Sequence, residues 1–193
     1  MDSETSTFCE MIRNRSAENR RAMSLLSVPH EVLSPAFSIL RQELDSMVRV
    51  IFLLAITNLA ERERLIRSTL QGDKWKVATP KGKFRSVTDR DMVELGQKLQ
   101  HWTQSVYNFG CAFTHLSDYH NHLSKNPFEN LSELEKQHVL KHMRYYHDGP
   151  SHDSPDMREL SRYLPNIFDK INSNLECYLK QLERNEILDI PEL

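Results

Sequence analysis

From Asp89 to Leu123 the apolar residues Met92, Leu95, Leu99, Trp102, Val106, Phe109, Phe113 and Leu116 recur at alternating spacings of three and four. Those intervals follow the α-helical repeat. The segment therefore reads as one long helix whose apolar seam needs a covering surface along its whole length. Continuing the rhythm brings His120 and Leu123 onto the seam. A second row, His101, Asn108, His115 and His122, runs beside it at seven-residue intervals, which keeps polar groups near one face. The seam needs partner helices, and the 193 residues can supply them. The fold class predicted is all-α: a single domain over residues 1–193, built as a bundle of long antiparallel helices at 28–184. A loosely attached helical arm at 1–27 precedes the bundle, a tail at 185–193 follows it, and one small β-hairpin fits at 72–87.

The partner helices can be placed. Residues 1–27 are helical, with Arg13, Arg15, Glu18, Arg20 and Arg21 on a solvated face and Phe8, Met11, Ile12, Met23, Leu25 and Leu26 as anchors. Ser34-Pro35 is a helix start, with serine as cap and proline at the first helical position. That helix is expected to reach Asn58. Its block from Val50 to Ile56 is apolar all round and marks the most buried helix, with Asp45 and Arg49 as an i,i+4 pair just before it. A charged helix over 61–71 is stopped by Gly72. Thr88 with Asp91, and Ser132 with Glu135, have the spacing of capping boxes. Gly110 lowers helix propensity in mid-seam, which close helix approach or a kink would explain. Asn126-Pro127 closes the central helix, Ser154-Pro155 repeats the cap-plus-proline start, and Pro165 divides the last stretch into a short and a long helix.

Composition excludes several classes. A formal net charge of -2 gives no reason to expect non-specific duplex binding, which needs a basic face, though it is compatible with a local basic patch. Three well-separated cysteines contain no CxxC pair and form no disulfide framework. The acidic, polar start MDSETSTFCE lacks the features of a signal peptide, and the apolar block is too short to span a bilayer. A cytoplasmic protein with no membrane association is expected. Five glycines and eight prolines are too few for a chain of many tight β-turns.

Two stretches carry candidate chemistry. In 72–87, Lys74, Lys76, Lys81, Lys83 and Arg85 interleave with Trp75 and Phe84, and Pro80 and Gly82 bracket a turn at Lys81. Cations for phosphate and rings for stacking are what a single-stranded nucleic acid requires; the alternative is a loop pinned by its aromatics with solvated lysines. The second stretch follows from antiparallel packing about the turn near 126–132. That packing places His147 level with Asn108 and Arg144 level with Cys111, so Asn108, His115, Arg144 and His147 converge, with His152 in the next turn. Arginine offers a fork for phosphate and histidine moves protons near neutral pH, the elements of metal-independent RNA cleavage. The alternative is that Arg144 and His147 simply close a helix C-terminus. No metal site is expected. His115 and His122 lie two turns apart, and the pair His138 and His142 has no third ligand. No cofactor is implied.

The segment MRYYHDGPSH, set between long antiparallel helices, resembles the HEPN superfamily. As architecture the resemblance covers most of the chain; as motif it covers this segment alone. It implies a compact all-helical domain. Many such domains are RNases with a composite site at a dimer interface, often in toxin–antitoxin or phage-defence systems, and others serve as binding or scaffold modules. The family pairs an arginine with a histidine at a spacing between the two found here, for two residues separate Arg144 from His147 and seven separate it from His152. Three readings follow. The first is a self-association or partner-binding module, expected as a homodimer. The second is an RNase using Arg144 with His147 or His152. The third is a single-strand binder working through Lys74, Trp75, Lys76, Lys81, Lys83 and Arg85.

Overall fold

The structure, a computed structural model, describes residues 3–27, 32–79, 81–114, 126–129 and 131–190. Among these residues the regular structure is helical apart from one two-stranded antiparallel ribbon. The helices are α1 (Ser3–Ser27), α2 (Leu33–Ala55), α3 (Leu59–Leu70), α4 (Asp89–Gln100), α5 (Thr103–Thr114), α6 (Glu133–His147), α7 (Met157–Ser161) and α8 (Leu164–Glu183). Strands β1 (Lys76–Ala78) and β2 (Phe84–Ser86) lie between α3 and α4. Contacts gather the chain into two compact units. The first comprises Met1–Ala17, Asp45–Thr103 and Asn172–Leu193, and the second Glu18–Leu44 and Gln104–Ile171.

In the first unit the core is α2. Met47, Val48, Val50, Ile51, Leu53 and Leu54 are all fully buried, as the all-apolar block requires. The helix ends at Ala55 rather than near Asn58, because Asn58 caps the next helix: its side chain accepts from the Glu61 amide at 3.2 Å. The start of α1 is held more firmly than its charged sequence suggests. Phe8 and Cys9 are buried, and Arg13 forks onto Glu176 at 3.0 Å and Glu183 at 2.5 Å. Burial is also why the Cys9 thiol is pushed up to about 12. The pair Asp45–Arg49 forms as expected at 3.1 Å, and it belongs to a chain of charges in which Arg15 reaches Asp45 and Arg49 reaches Asp89, each at 3.3 Å. At the far end of α2, Arg62 is 2% exposed. It donates to the carbonyls of Ile56 at 2.9 Å, Glu186 at 3.0 Å and Leu54 at 3.4 Å. The Leu188 amide joins the same Leu54 carbonyl at 2.9 Å, and Ile190 is buried, so the tail is docked up to there.

The predicted long central helix is interrupted. Its first part, α4, opens with the Thr88–Asp91 capping box and stops at His101, whose φ of 57° is left-handed. Thr103 then starts α5, its hydroxyl within hydrogen-bond distance of two acceptors, the Val93 carbonyl at 3.3 Å and the Gln97 side-chain oxygen at 3.2 Å. Apolar spacing alone did not disclose the break, because Trp102 stays buried through it.

In the second unit Phe37 of α2 stacks on Phe113 of α5 at 4.4 Å and on Phe109 at 6.1 Å. Gly110 is there for space: a Cβ would stand 2.6 Å from Arg41 Cβ. Of the two explanations for this glycine, close approach is the operative one. Helix α2 begins at Leu33, and Ser34 is already inside its first turn, with its hydroxyl directed to the Phe113 carbonyl at 3.4 Å. Asn19 donates to the fully buried Glu43 at 3.1 Å. The Ser132–Glu135 capping box opens α6 as predicted. The start of α7 differs, for Asp156, not Ser154, is the cap, in a capping box with Glu159.

Candidate functional site

Helix α6 ends at His147 because Asp148 takes a left-handed φ of 59°. The chain then turns through 148–156 under α7. Arg144, one turn before the helix end, reaches into that turn: its Nε donates to the Pro150 carbonyl at 2.7 Å and its Nη2 to Asp153 at 2.6 Å. The guanidinium holds the Asp153 carboxyl below the usual carboxylate range. His152, further along, is bonded on both ring nitrogens. Nδ1 accepts from the Ser154 amide at 3.3 Å, so Nε2 is the protonated nitrogen that meets Glu159 at 3.0 Å. Glu159 is held below its ordinary value, first by His152 and next by the Asp156 amide. Gly149 is packed under the ring of Tyr163, where a Cβ would collide with the hydroxyl. The turn is thus cross-braced by the residues that the sequence marks as reactive.

His147 is 9% exposed. Burial pulls its pKa below the ordinary imidazole value, and Lys170 pulls the same way against a weaker opposing effect of Asp148. The imidazole is therefore neutral at pH 7. Asn108 is exposed on α5 and accepts from Gln104 at 2.9 Å. The bonds of Arg144 run to Pro150 and Asp153, and those of Asn108 to its own helix. His115 lies outside the described residues, as do Leu116, Asp118, His120, His122 and Leu123. Among the described residues no group of three His, Cys, Asp or Glu side chains could hold a metal ion. None of their helices is long and apolar enough to cross a membrane.

The basic stretch folds as the ribbon β1–β2, with Lys76 opposite Ser86, Val77 opposite Arg85 and Ala78 opposite Phe84. Gly82, at φ +73°, makes the turn. One correction applies to the nucleic-acid set. Trp75 is buried, its Nε1 donating to Thr69 at 2.7 Å, its ring 5.8 Å from Phe52 and lying under the Arg49 guanidinium at 5.3 Å. It anchors the ribbon and offers no stacking surface. Arg85 is tied to Asp91 at 2.9 Å. Lys74, Lys76, Lys81 and Lys83 are exposed, and Phe84 is 65% exposed.

A feature that sequence reasoning passed over is the outer face of α6. Leu134 is 84% exposed, Tyr145 78% and Tyr146 49%. Leu134, His138, Lys141 and Tyr145 fall within one narrow stripe at helical angles, and all are exposed. The signal was present in the pair Tyr145-Tyr146, which falls outside the buried positions Leu140, Met143 and His147. No family model, no curated protein and no solved structure matches this chain.

Proposed function

We propose that this chain is a non-catalytic association module whose contact surface is the outer face of α6 and whose first partner is a second copy of itself. The observation that carries this reading is the exposure of Leu134 and Tyr145 on one stripe, with Tyr146 edge-on to Tyr145 at 4.7 Å. Monomeric proteins seldom leave such large apolar groups aligned in water. A buried tyrosine removes about 150–250 Å² of surface from water, so the stripe supplies the centre of an interface of about 800 Å² per partner. Lys170 lies 5.2 Å from the Tyr146 ring centroid and steadies that tyrosine as part of the surface. A two-fold axis lets one such patch meet itself. The resemblance of MRYYHDGPSH to HEPN domains, together with the helical architecture, supports a place among their binding members, in a bacterial defence or toxin–antitoxin setting. The three free cysteines agree with a reducing cytoplasm.

Sedimentation velocity is the test. A dimer is expected at tens of micromolar, and Tyr145→Ala should raise the dissociation constant at least about fivefold. A monomer at that concentration, or a dimer indifferent to Tyr145→Ala and Leu134→Ala, would refute the reading.

One observation favours a second reading, metal-independent RNA cleavage by Arg144 with His147 or His152. Arg144 and His152 both serve the same turn with side chains 36% and 50% exposed. In that case Arg144→Ala and His152→Ala each abolish cleavage, in EDTA as in its absence. If Arg144 is a brace, the same change lowers thermal stability and no cleavage is seen in the parent protein.

A further inference from the structure

The α6 surface leaves the β1–β2 ribbon unused, and the ribbon has a chemistry of its own. Cross-strand partners point to one side, so Lys76, Ala78, Phe84 and Ser86 share a face while Val77 and Arg85 share the other. By the same alternation Trp75 belongs with Val77, on the side where it is buried, and Lys74 with Lys76. The outward face therefore carries a phenyl ring with Lys76 diagonal to it and Lys74 farther along the same face. Lys81 lies at the turn and is exposed, whereas Lys83, opposite Thr79 and next to Phe84, alternates to the side of Val77 and Arg85. None of these four lysines is in an ion pair with a described residue, and no acid occurs between Lys74 and Thr88. The Phe84 ring is supported from beneath by the Arg64 guanidinium, 5.9 Å from its centroid, and Arg64 is fixed in turn by Glu61 at 2.6 Å. The result is an exposed aromatic ring on a face with lysines that have no ion pair among the described residues, on a chain whose net charge is -2.

We infer that the outward face of this ribbon binds single-stranded polynucleotide, with a base stacked on Phe84 and the flanking phosphates met by Lys74, Lys76 and Lys81. Charge complementarity requires a polyanion, and the ring selects among polyanions. A base needs one π-face, which Phe84 offers. A bilayer needs more buried apolar surface than one phenyl group provides. Duplex is disfavoured because its bases are already stacked on one another and only its phosphates are reachable.

The inference is independent of self-association through α6, and each can fail alone. Full-length protein is titrated into labelled oligo(U) and oligo(dT), with a duplex of equal length and phosphatidylserine vesicles as alternatives, and binding is followed by anisotropy and co-sedimentation. Single strands should bind best. The slope of log K against log salt should be about -2, given about 0.7 per phosphate neutralised and three contacts. Lys76→Glu and Lys81→Glu should weaken binding. The neutral changes Lys76→Ala and Lys81→Ala should each flatten the slope by about 0.7. Phe84→Ala should weaken binding about 5- to 150-fold with the slope unchanged, and Phe84→Trp should retain it. Circular dichroism on each variant confirms that the fold persists. Absence of single-strand binding, capture by vesicles alone, equal affinity for duplex, or indifference to both the lysine and the Phe84→Ala changes would overturn the inference.

Discussion

Replacing Arg62 by methionine asks whether a buried charge holds the end of α2 or burdens it. Methionine keeps the length and apolar stem of the side chain and removes every donor. Two good bonds disappear, those to Ile56 at 2.9 Å and Glu186 at 3.0 Å, while the Leu54 carbonyl keeps the Leu188 amide. Charge-assisted hydrogen bonds are each worth about 1.5–3 kcal/mol, so the gross loss is about 3–6 kcal/mol. Against this stands the relief of a guanidinium that is 2% exposed and whose Nε has no partner among the described residues. Burial also pulls its pKa down, a sign that the charged form is disfavoured there. Desolvation offsets part of the gross term, and a net destabilisation of about 2–4 kcal/mol is expected. Urea unfolding measures it directly. In a chain of this size it corresponds to a fall in Tm of about 4–16 °C. Hydrogen exchange should accelerate first at amides 184–190, which the arginine ties down. Arg62→Lys, with a point charge in place of the fork, should fall between the two. An Arg62→Met protein as stable as the parent would mean that desolvation cancels the bonds and that the tail is held by Leu188 and Ile190 alone.

Leu53→Ala, at a position 0% exposed, should destabilise by roughly 2–5 kcal/mol in the same urea assay. Gly110→Ala sets two effects in opposition: alanine gains about 1 kcal/mol of helix propensity, and overpacking against Arg41 costs about 1–3 kcal/mol, so a net loss of stability or no gain is expected in thermal melts. Stability should also fall on acidification in two stages. His147 has a folded-state pKa below its ordinary 6.5, so the unfolded chain binds the proton more readily; the contribution is complete above pH 6.5 and is lost as pH falls through the folded value. Glu183 and Glu61, both below 4.5 through Arg13 and Arg64, add a second decline that begins near pH 4.5. His147→Asn should remove the upper stage from a plot of Tm against pH and leave the lower one.

What could be read from the sequence was local. The capping boxes at Thr88 and Ser132 were legible because both partners of each lie within four residues, and the ribbon because Gly82 marks its turn. The buried block of α2 was legible because nothing polar interrupts it. The break at His101 was not, because a histidine in the left-handed region leaves no compositional mark and the apolar spacing runs on through Trp102. For Trp75 the two readings stayed open, and its burial on the inner side with Val77 is the pinned-loop one. Arg62 sits in ERERLIR, a run that reads as a solvated charged face. Only the carbonyls of Ile56 and Glu186, the latter 124 residues away, disclose its role. The bonding of Arg144 to Asp153 depended likewise on the path of a turn that residue types do not specify.

The chain has two tryptophans, and both Trp75 and Trp102 fall in the first compact unit. Indole emission is therefore a native optical label for that unit alone, whereas far-ultraviolet circular dichroism sums the helices of both. Recording the two signals on one denaturant series separates them without any added dye. Superimposable curves mean that the units unfold as one cooperative body. An emission curve displaced from the dichroism curve means that the unit holding α4 and the ribbon melts independently of the one holding α6. Every stability measurement on a ribbon variant or an α6 variant would then refer to its own unit.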